Sequence, residues 1–265
     1  GSRYNNNTNR MFGGHIHDFR VSKGLARYPY ISKPVTLTTT NSGMTTPNGT
    51  TPTVSSASNT IFLGCHAATI VDGSSNAATI TTVGDAVVST FTPYLINGYD
   101  ADTNMRSVLF DGSSDKLTAT LGTTLSTTDW TVEYWVWHDA VGNGNEYHVE
   151  LGTDSPTFYY RDSSNNNKMA MYHVGAFGGS NAWETFSPKS RTWYHLAWVH
   201  DDSENKVALF VNGVFWGDTA YTGDSTSNLL ELGGSSMDGY LSNVRIVKEK
   251  LYDKNFTPTT VAISA

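Results

Sequence analysis

The chain has 265 residues, of which 38% are hydrophobic and 15% charged, and its 17 basic and 24 acidic side chains give a net charge of −7. No block of Lys and Arg could neutralise a row of phosphates and no apolar run could span a bilayer, which argues against nucleic acid as a partner and against membrane insertion. The single cysteine, Cys65, cannot form an intrachain disulfide. Abundant Gly, Ser, Thr and Asn predict an all-β chain of short strands and many turns.

The N-terminal segment resembles the C-terminal one. Residues 12–23 align with residues 237–248 at one constant offset, and apolar positions agree along the alignment. Internal similarity of this kind is typical of a repeat array. The identical residues are Gly14 with Gly239, Arg20 with Arg245 and Lys23 with Lys248.

These patterns divide the chain into three parts. Residues 1–35 are predicted to be the C-terminal part of a preceding repeat, of which only the last strand and tail are included. Residues 36–58 are rich in Thr, Ser, Pro and Gly, which is the composition of a linker. Residues 59–265 are dense in β-prone runs and are predicted to be one complete domain.

Residues 59–265 contain many short strands separated by turn residues, a pattern typical of a β-sandwich or jelly roll. In the run 131–137, Val132, Tyr134 and Val136 share one face, whereas Glu133, Trp135 and Trp137 share the other. The dipeptide Asn212-Gly213 between two β-prone runs predicts a type I′ hairpin turn. Strands are predicted at 61–64, 77–82, 86–91, 106–110, 131–137, 146–151, 157–160, 168–174, 183–186, 193–199, 207–211, 214–216, 228–232 and 239–247.

Four motifs in order over residues 106–262 resemble the laminin G-like jelly rolls of the concanavalin A-like lectin/glucanase superfamily. The resemblance implies two antiparallel sheets packed face to face, one of them concave. It also implies binding of carbohydrate or of a protein surface, with calcium in some members. The motifs are Phe110-Asp111-Gly112 with Asp115 and Leu117, then Asp129 to Val136, then Trp193 to Ala197 followed by Val211-Asn212-Gly213, and finally Asp238 to Ile246.

Residues 61–94 resemble the lead-in found beside such domains in tail-fibre and other structural proteins of phages. This resemblance implies an extracellular segment of a phage tail fibre or virion appendage. Such a segment would contact a host-surface glycan or envelope component and assemble with other copies of the chain, as a homotrimer or fibre. The alternative is a secreted or surface carbohydrate-binding protein of a bacterium with the same fold.

The sequence also argues against an enzyme. Glucanases of this fold carry their two catalytic carboxylates on one strand, in Glu-x-Asp-x-x-Glu or a close variant, and no such run occurs. Glu133 and His195 are predicted to lie on neighbouring strands, as an acid/base pair or as a buried hydrogen bond between two polar groups; the second interpretation is favoured. A glycan hydrolase is therefore the less favoured alternative.

Sugar binding needs an exposed aromatic ring to stack on a pyranose, beside polar groups that bind its hydroxyls. Trp183 in a Gly-rich loop fits this description, and the candidate residues are Trp183, Asn181, Glu184, Tyr159 and Trp216. Calcium needs converging oxygen ligands. Asp111, Asp115 and Asp238 stand in Gly-rich turns and are the candidates, although Asp-Gly is also ordinary turn chemistry.

Overall fold

A computed structural model describes residues 59–92, 106–142, 144–152, 156–162, 167–234 and 236–258. The predicted preceding repeat (1–35) and linker (36–58) lie outside the described residues and stay predictions. Within the described ranges, no helix has the length and apolar character needed to cross a bilayer.

The described residues form strands connected by turns. In chain order the strands are β1 (Thr60–Gly64), β2 (Ile80–Val83), β3 (Val87–Ser89), β4 (Ser107–Asp111), β5 (Lys116–Thr120), β6 (Trp130–His138), β7 (Glu146–Glu150), β8 (Thr157–Arg161), β9 (Lys168–Phe177), β10 (Ser180–Glu184), β11 (Tyr194–Asp201), β12 (Lys206–Val211), β13 (Val214–Ala220), β14 (Leu229–Leu232) and β15 (Asp238–Val247).

These strands build two antiparallel sheets. The eight-stranded sheet has the order β13-β12-β11-β6-β15-β4-β3, with β1 paired additionally to β15. The seven-stranded sheet has the order β10-β9-β8-β7-β14-β5-β2. Two antiparallel sheets with non-consecutive neighbours form a jelly-roll sandwich, which confirms the predicted all-β fold class.

The main core lies between the two sheets. On β6, Val132, Tyr134 and Val136 point into it and are fully buried, so the predicted division of that strand between two faces is confirmed. Trp198 of β11 and Phe158 of β8 pack across the interface, with ring centroids 5.4 Å apart. Large aromatic side chains contribute much of the buried area that stabilises such a sandwich.

The hairpin between β12 and β13 turns at the predicted dipeptide. Asn212 and Gly213 have φ angles of 50° and 77°, as a type I′ turn requires at both central positions. A Cβ atom on Gly213 would also lie 2.0 Å from the carbonyl oxygen of Phe256. This position therefore admits glycine alone, both for its conformation and for its contact with the C-terminal segment.

The sequence missed one strand and displaced another. β5 was not predicted, because its Thr and Ala residues alternate too weakly in hydropathy to signal a strand. β10 begins at Ser180 and ends at Glu184, whereas the prediction placed it at 183–186. It is an edge strand of mixed burial, so hydrophobic periodicity gives little guide to its limits.

The C-terminal segment covers part of the outer face of the eight-stranded sheet. Leu251, Tyr252 and Phe256 form a second apolar cluster with Val199 of β11 and Phe210 of β12. The rings of Tyr252 and Phe256 stack with centroids 3.7 Å apart. This sheet is thus buried on both faces where the segment crosses it.

Candidate functional site

The outer face of the seven-stranded sheet carries a groove of about 740 Å³. Its floor consists of the outward-pointing residues of β2, β5, β14, β7, β8 and β9, because alternate residues of a strand share a face. We call it the tyrosine groove. Its lining residues are Thr79, Thr81, Thr118, Ala119, Thr120, Tyr147, Glu150, Gly152, Thr157, Tyr159, Tyr172, Leu229, Leu230 and Glu231.

Tyrosine rings form one wall of this groove. Tyr147 of β7 and Tyr159 of β8 are cross-strand partners, and their rings stack with centroids 5.4 Å apart and an interplanar angle of 12°. The pairing of β7 with β8 shifts register between Tyr147 and Val149. This β-bulge explains how Tyr147 and Glu150, three positions apart, both line the groove.

Two carboxylates lie side by side on the floor. Glu150 of β7 and Glu231 of β14 are direct cross-strand partners. Lys116 of β5 donates a hydrogen bond from Nζ to Glu231 Oε2 at 2.8 Å. Partial burial, with a further effect of the Glu231 charge, raises the pKa of Glu150 to about 7.

Hydroxyl groups complete the polar part of the groove. Thr81 of β2, Thr118 of β5 and Thr157 of β8 contribute side chains to its lining, beside the phenol groups of the tyrosines. Aromatic faces can stack on sugar rings, while hydroxyls and carboxylates accept or donate hydrogen bonds to sugar hydroxyls. The arrangement therefore suits a polar ligand with flat apolar faces.

The sequence-predicted sugar-binding residues are spread over three places. Tyr159 lines the groove but is only 5% exposed, so its partner Tyr147 offers the more open ring. Glu184 of β10 forms an ion pair with Arg161 of β8, outside the groove lining. Asn181 accepts a hydrogen bond from the backbone N–H of Gly175 at 2.8 Å, so its side chain closes the hairpin between β9 and β10.

Trp183 and Trp216 lie away from the groove. Trp183 stands opposite Met171, which is fully buried, so its ring points inward and meets Trp198 edge-on at 5.8 Å. That orientation does not fit the exposed platform in a loop that the sequence predicted for Trp183. Trp216 is 52% exposed on β13, at an edge of the other sheet, and its ring contacts Phe186 at 5.0 Å.

Sequence reasoning missed the groove residues Tyr147, Glu150 and Glu231. A usable signal existed for Glu231, which interrupts the apolar run Leu229–Leu232, but not for Glu150, whose predicted strand also contains Glu146 and His148. A charged residue inside an apolar strand marks a position that faces water or a partner. What the sequence could not supply was the pairing of β7 with β14, which brings the two glutamates together.

Two of the three predicted metal-site residues lie together with a third that the sequence missed. Carboxylate oxygens of Asp85, Asp111 and Asp115 all lie within 4.8 Å of one another. Asp115 is buried and accepts hydrogen bonds from the backbone N–H groups of Asp85 at 2.6 Å and Asp111 at 3.1 Å. A hydrogen bond with Asp115 and the charges of Asp115 and Asp111 raise the pKa of Asp85.

Asp238, the third predicted ligand, is not part of this trio. It is the cross-strand partner of Asp111 at the end of the β4–β15 pair. Burial, together with the charges of Asp139, Glu146 and Asp111, raises the pKa of Asp238. The acidic residues at this end of the sandwich are therefore close enough to interact electrostatically.

Glu133 and His195 meet in a buried network. His195 Nε2 lies 3.4 Å from Glu133 Oε2, which also accepts a hydrogen bond from the Tyr252 hydroxyl at 2.9 Å. Arg245 forms an ion pair with Glu133 Oε1. Burial alone would raise the pKa of Glu133, but Arg245 and the hydrogen bonds of His195 and Tyr252 lower it to about 2. These contacts hold the C-terminal segment onto the sheet and are closed to a substrate.

A family model described as the concanavalin A-like lectin/glucanases superfamily, of the laminin G type, matches residues 111–262. This match covers more than half of the chain. The chain belongs to that superfamily. A search of curated protein sequences gives no match.

Solved structures of botulinum neurotoxin binding regions share the fold. A type C structure, described for cell entry that depends on two ganglioside molecules, has a TM-score of 0.57 at 10% identity. A serotype DC binding domain in complex with rat synaptotagmin II gives 0.56 at 11% identity, and one in complex with SialylT gives 0.55 at 12%. These alignments cover 74%, 74% and 75% of this chain and 49%, 50% and 49% of the respective neurotoxin chains. The chain therefore spans about half the length of each.

Proposed function

We propose that this chain is a non-enzymatic, carbohydrate-binding segment of a phage tail fibre or virion appendage, which contacts host-surface glycans through the tyrosine groove. The observation that carries the proposal is the stacked Tyr147–Tyr159 pair beside the Glu150–Glu231 pair, in a groove large enough for a sugar. Gangliosides and SialylT, named for neurotoxin structures of this fold, support carbohydrate as the ligand class.

The central test is a glycan and host-cell binding screen of the purified chain, presented multivalently because repeated weak sites act through avidity. Replacing Tyr147 by Ala removes the outer ring of the stack and is expected to reduce glycan affinity about tenfold. Trp216→Ala is the matched control, because it removes an exposed aromatic ring outside the groove. A loss with Trp216→Ala but not with Tyr147→Ala would place the site at the predicted Trp216 instead.

The fibre role is supported by the repeated segment. Two residues that recur in it serve defined purposes in β15: a Cβ atom on Gly239 would lie 2.0 Å from the Trp137 carbonyl oxygen, and Arg245 pairs with Glu133. Recurrence of such residues as Gly14 and Arg20 supports a second copy of the same strand.

We expect a homotrimer or fibre, which sedimentation equilibrium would detect. Tail and capsid genes beside the coding sequence would support the virion role, whereas cell-wall anchoring signals would support the bacterial alternative.

The groove also contains a pair of carboxylates that a hydrolase could use. Directly opposed residues of an antiparallel pair have Cβ atoms roughly 5 Å apart, and retaining glycosidases need carboxyl groups at about that separation. Glu150 and Glu231 are such a pair. A reducing-end assay on the glycans that bind should show no turnover. Turnover that Glu150→Gln abolishes would contradict the non-enzymatic proposal.

We extend the proposal to calcium at the trio Asp85, Asp111 and Asp115. Calcium prefers carboxylate oxygens, and a cation there would relieve the repulsion that raises the pKa of Asp85. Thermal unfolding with calcium and with EDTA tests this step, and Asp85→Asn should remove any calcium-dependent rise in Tm. An unchanged Tm in the parent chain would show that the three residues serve only to fix the turn.

A further inference from the structure

Resting on the proposed glycan-binding role, we infer that the tyrosine groove selects glycans carrying a free, protonated amino group over acetylated or sialylated glycans of similar size. The groove's geometry constrains the charge of the ligand more closely than the identity of its sugar.

The charges on the groove lining are negative. Glu150 and Glu231 are its charged members, and both contribute carboxylates to the same part of the floor. Lys116 neutralises Glu231 through a hydrogen bond of 2.8 Å. Among the described residues no cation is in hydrogen-bonding contact with Glu150, whose pKa is raised to about 7, so a ligand ammonium group beside it would favour its ionised form and balance the pair.

The other charged residues of this face are arranged away from the floor. Arg161 of β8 pairs with Glu184 of β10, and Lys168 of β9 is the cross-strand partner of Arg161. None of the three lines the groove. A sialylated ligand would therefore bring its carboxylate against two glutamates, and the basic side chains Lys116 and Arg161 are already engaged with Glu231 and Glu184.

The aromatic wall favours the same ligand charge. The faces of Tyr and Trp rings attract cations through their quadrupole, and this attraction strengthens in partly desolvated sites. Tyr147, Tyr159 and Tyr172 all line the groove beside the two glutamates. An amino sugar can therefore stack its ring on the half-buried Tyr147 or Tyr172, rather than on the buried Tyr159, while its ammonium group donates to Glu150. An acetylated amine would lose the charge and add bulk at that point.

The test compares three ligands on the full purified chain: a glucosamine tetramer, an N-acetylglucosamine tetramer and 3′-sialyllactose. Titration calorimetry at pH 7 in low salt should show the glucosamine tetramer binding about tenfold more tightly than its acetylated counterpart, because hydrogen bonds to charged groups are the stronger ones. High salt should reduce the difference. Glu150→Gln should make the two tetramers nearly equal in affinity.

Two further variants distinguish an effect of the groove's charge on ligand preference from a general effect on the fold. Glu231→Gln leaves Lys116 without its carboxylate and should weaken amine binding while improving that of 3′-sialyllactose. Glu184→Gln removes a glutamate of the same face outside the groove and should leave the preference unchanged. Tighter binding of the acetylated or sialylated ligand by the parent chain would overturn the inference and leave the glycan-binding role standing. Absence of binding to all three ligands and to a wider glycan screen would overturn both.

Discussion

The outer faces of the two sheets each carry a glutamate on a strand, Glu133 within β6 and Glu150 at the end of β7, and the two glutamates have opposite electrostatic environments. Glu133 lies beneath the C-terminal segment with Arg245, His195 and Tyr252 as partners, and its pKa is lowered to about 2. Glu150 lies on an open face beside Glu231, and its pKa is raised to about 7. A buried carboxylate with its partners stabilises the fold, whereas a crowded and half-open one is available to a ligand.

The two outer faces therefore differ in what covers them. The eight-stranded sheet uses its outer face to bind its own chain, through Thr131, Val199 and Phe210. The seven-stranded sheet has no comparable cover among the described residues, and its outer face forms the groove. Substitutions of the same kind on the two faces should therefore affect stability on one face and ligand binding on the other.

The largest difference in the free energy of unfolding is expected when one arginine is replaced on each face. Arg245→Met removes the cation from a pair whose side chains are at most 2% exposed, and should lower the free energy of unfolding by about 3–5 kcal/mol. Arg161→Met breaks the pair with Glu184, whose side chains are 35% and 20% exposed, and should cost less than about 1 kcal/mol. Urea denaturation of both variants measures the contrast. Equal losses would mean that the two faces do not differ in the way described.

The environment of Glu133 could be predicted from the sequence in part. The alternation in residues 131–137 placed Glu133 opposite the core, and the Glu133–His195 contact was predicted as a buried hydrogen bond. Arg245 and Tyr252 as its further partners could not be predicted, because they depend on which strand adds to β6 and on the path of the C-terminal segment. Long-range pairings of this kind leave no local pattern in the sequence.

The groove was less accessible to sequence reasoning. Trp183 attracted attention as a tryptophan among glycines, but alternation along β10 turns it into the core. Tyr159 was identified, whereas its stacking partner Tyr147 and the two glutamates were not. Their common face arises from a β-bulge and from the β7–β14 pairing, neither of which a single sequence reports. The sequence therefore indicates one residue of the candidate groove by its type, and gives no signal for the group of residues that lie together there.

An intermediate difference in the free energy of unfolding is expected when one threonine is replaced on each face. The Thr131 hydroxyl donates to the Glu249 carbonyl oxygen at 2.7 Å and accepts from the Leu251 N–H at 3.1 Å, both beneath the C-terminal segment. Thr131→Val should therefore destabilise the fold by about 1–3 kcal/mol, because it leaves a buried backbone donor unpaired. Thr118→Val in the groove should leave stability within about 0.5 kcal/mol and weaken glycan binding. Thermal and urea unfolding, paired with the glycan titration, check both halves. A stable Thr131→Val variant would show that the segment is held by its apolar contacts and the Tyr252–Glu133 hydrogen bond without Thr131.

The smallest expected effect is the pH dependence of the free energy of unfolding that arises from Glu150. Its pKa of about 7 in the folded chain exceeds the ordinary value of 4.5, so between these values the folded state holds a proton that the unfolded state has released. The free energy of unfolding should therefore fall as the pH rises from 4.5 towards 7, and stay lowered above it. Glu150→Gln removes this loss and should stabilise the chain by about 1 kcal/mol at pH 8, an amount reduced by the exposure of the side chain.

The control for that measurement comes from the other face. Glu133→Gln should destabilise the chain at pH 8, because its low pKa contributes stability that is present above 4.5 and lost as the pH falls towards about 2. Urea denaturation of the parent and both variants at pH 5 and pH 8 gives opposite signs at pH 8, and at pH 5 the gain from Glu150→Gln should be much smaller. If Glu150→Gln instead lowered stability at pH 8, Glu150 would be a partnered structural carboxylate like Glu133, and the groove would lose the unbalanced charge on which its preference for amines depends.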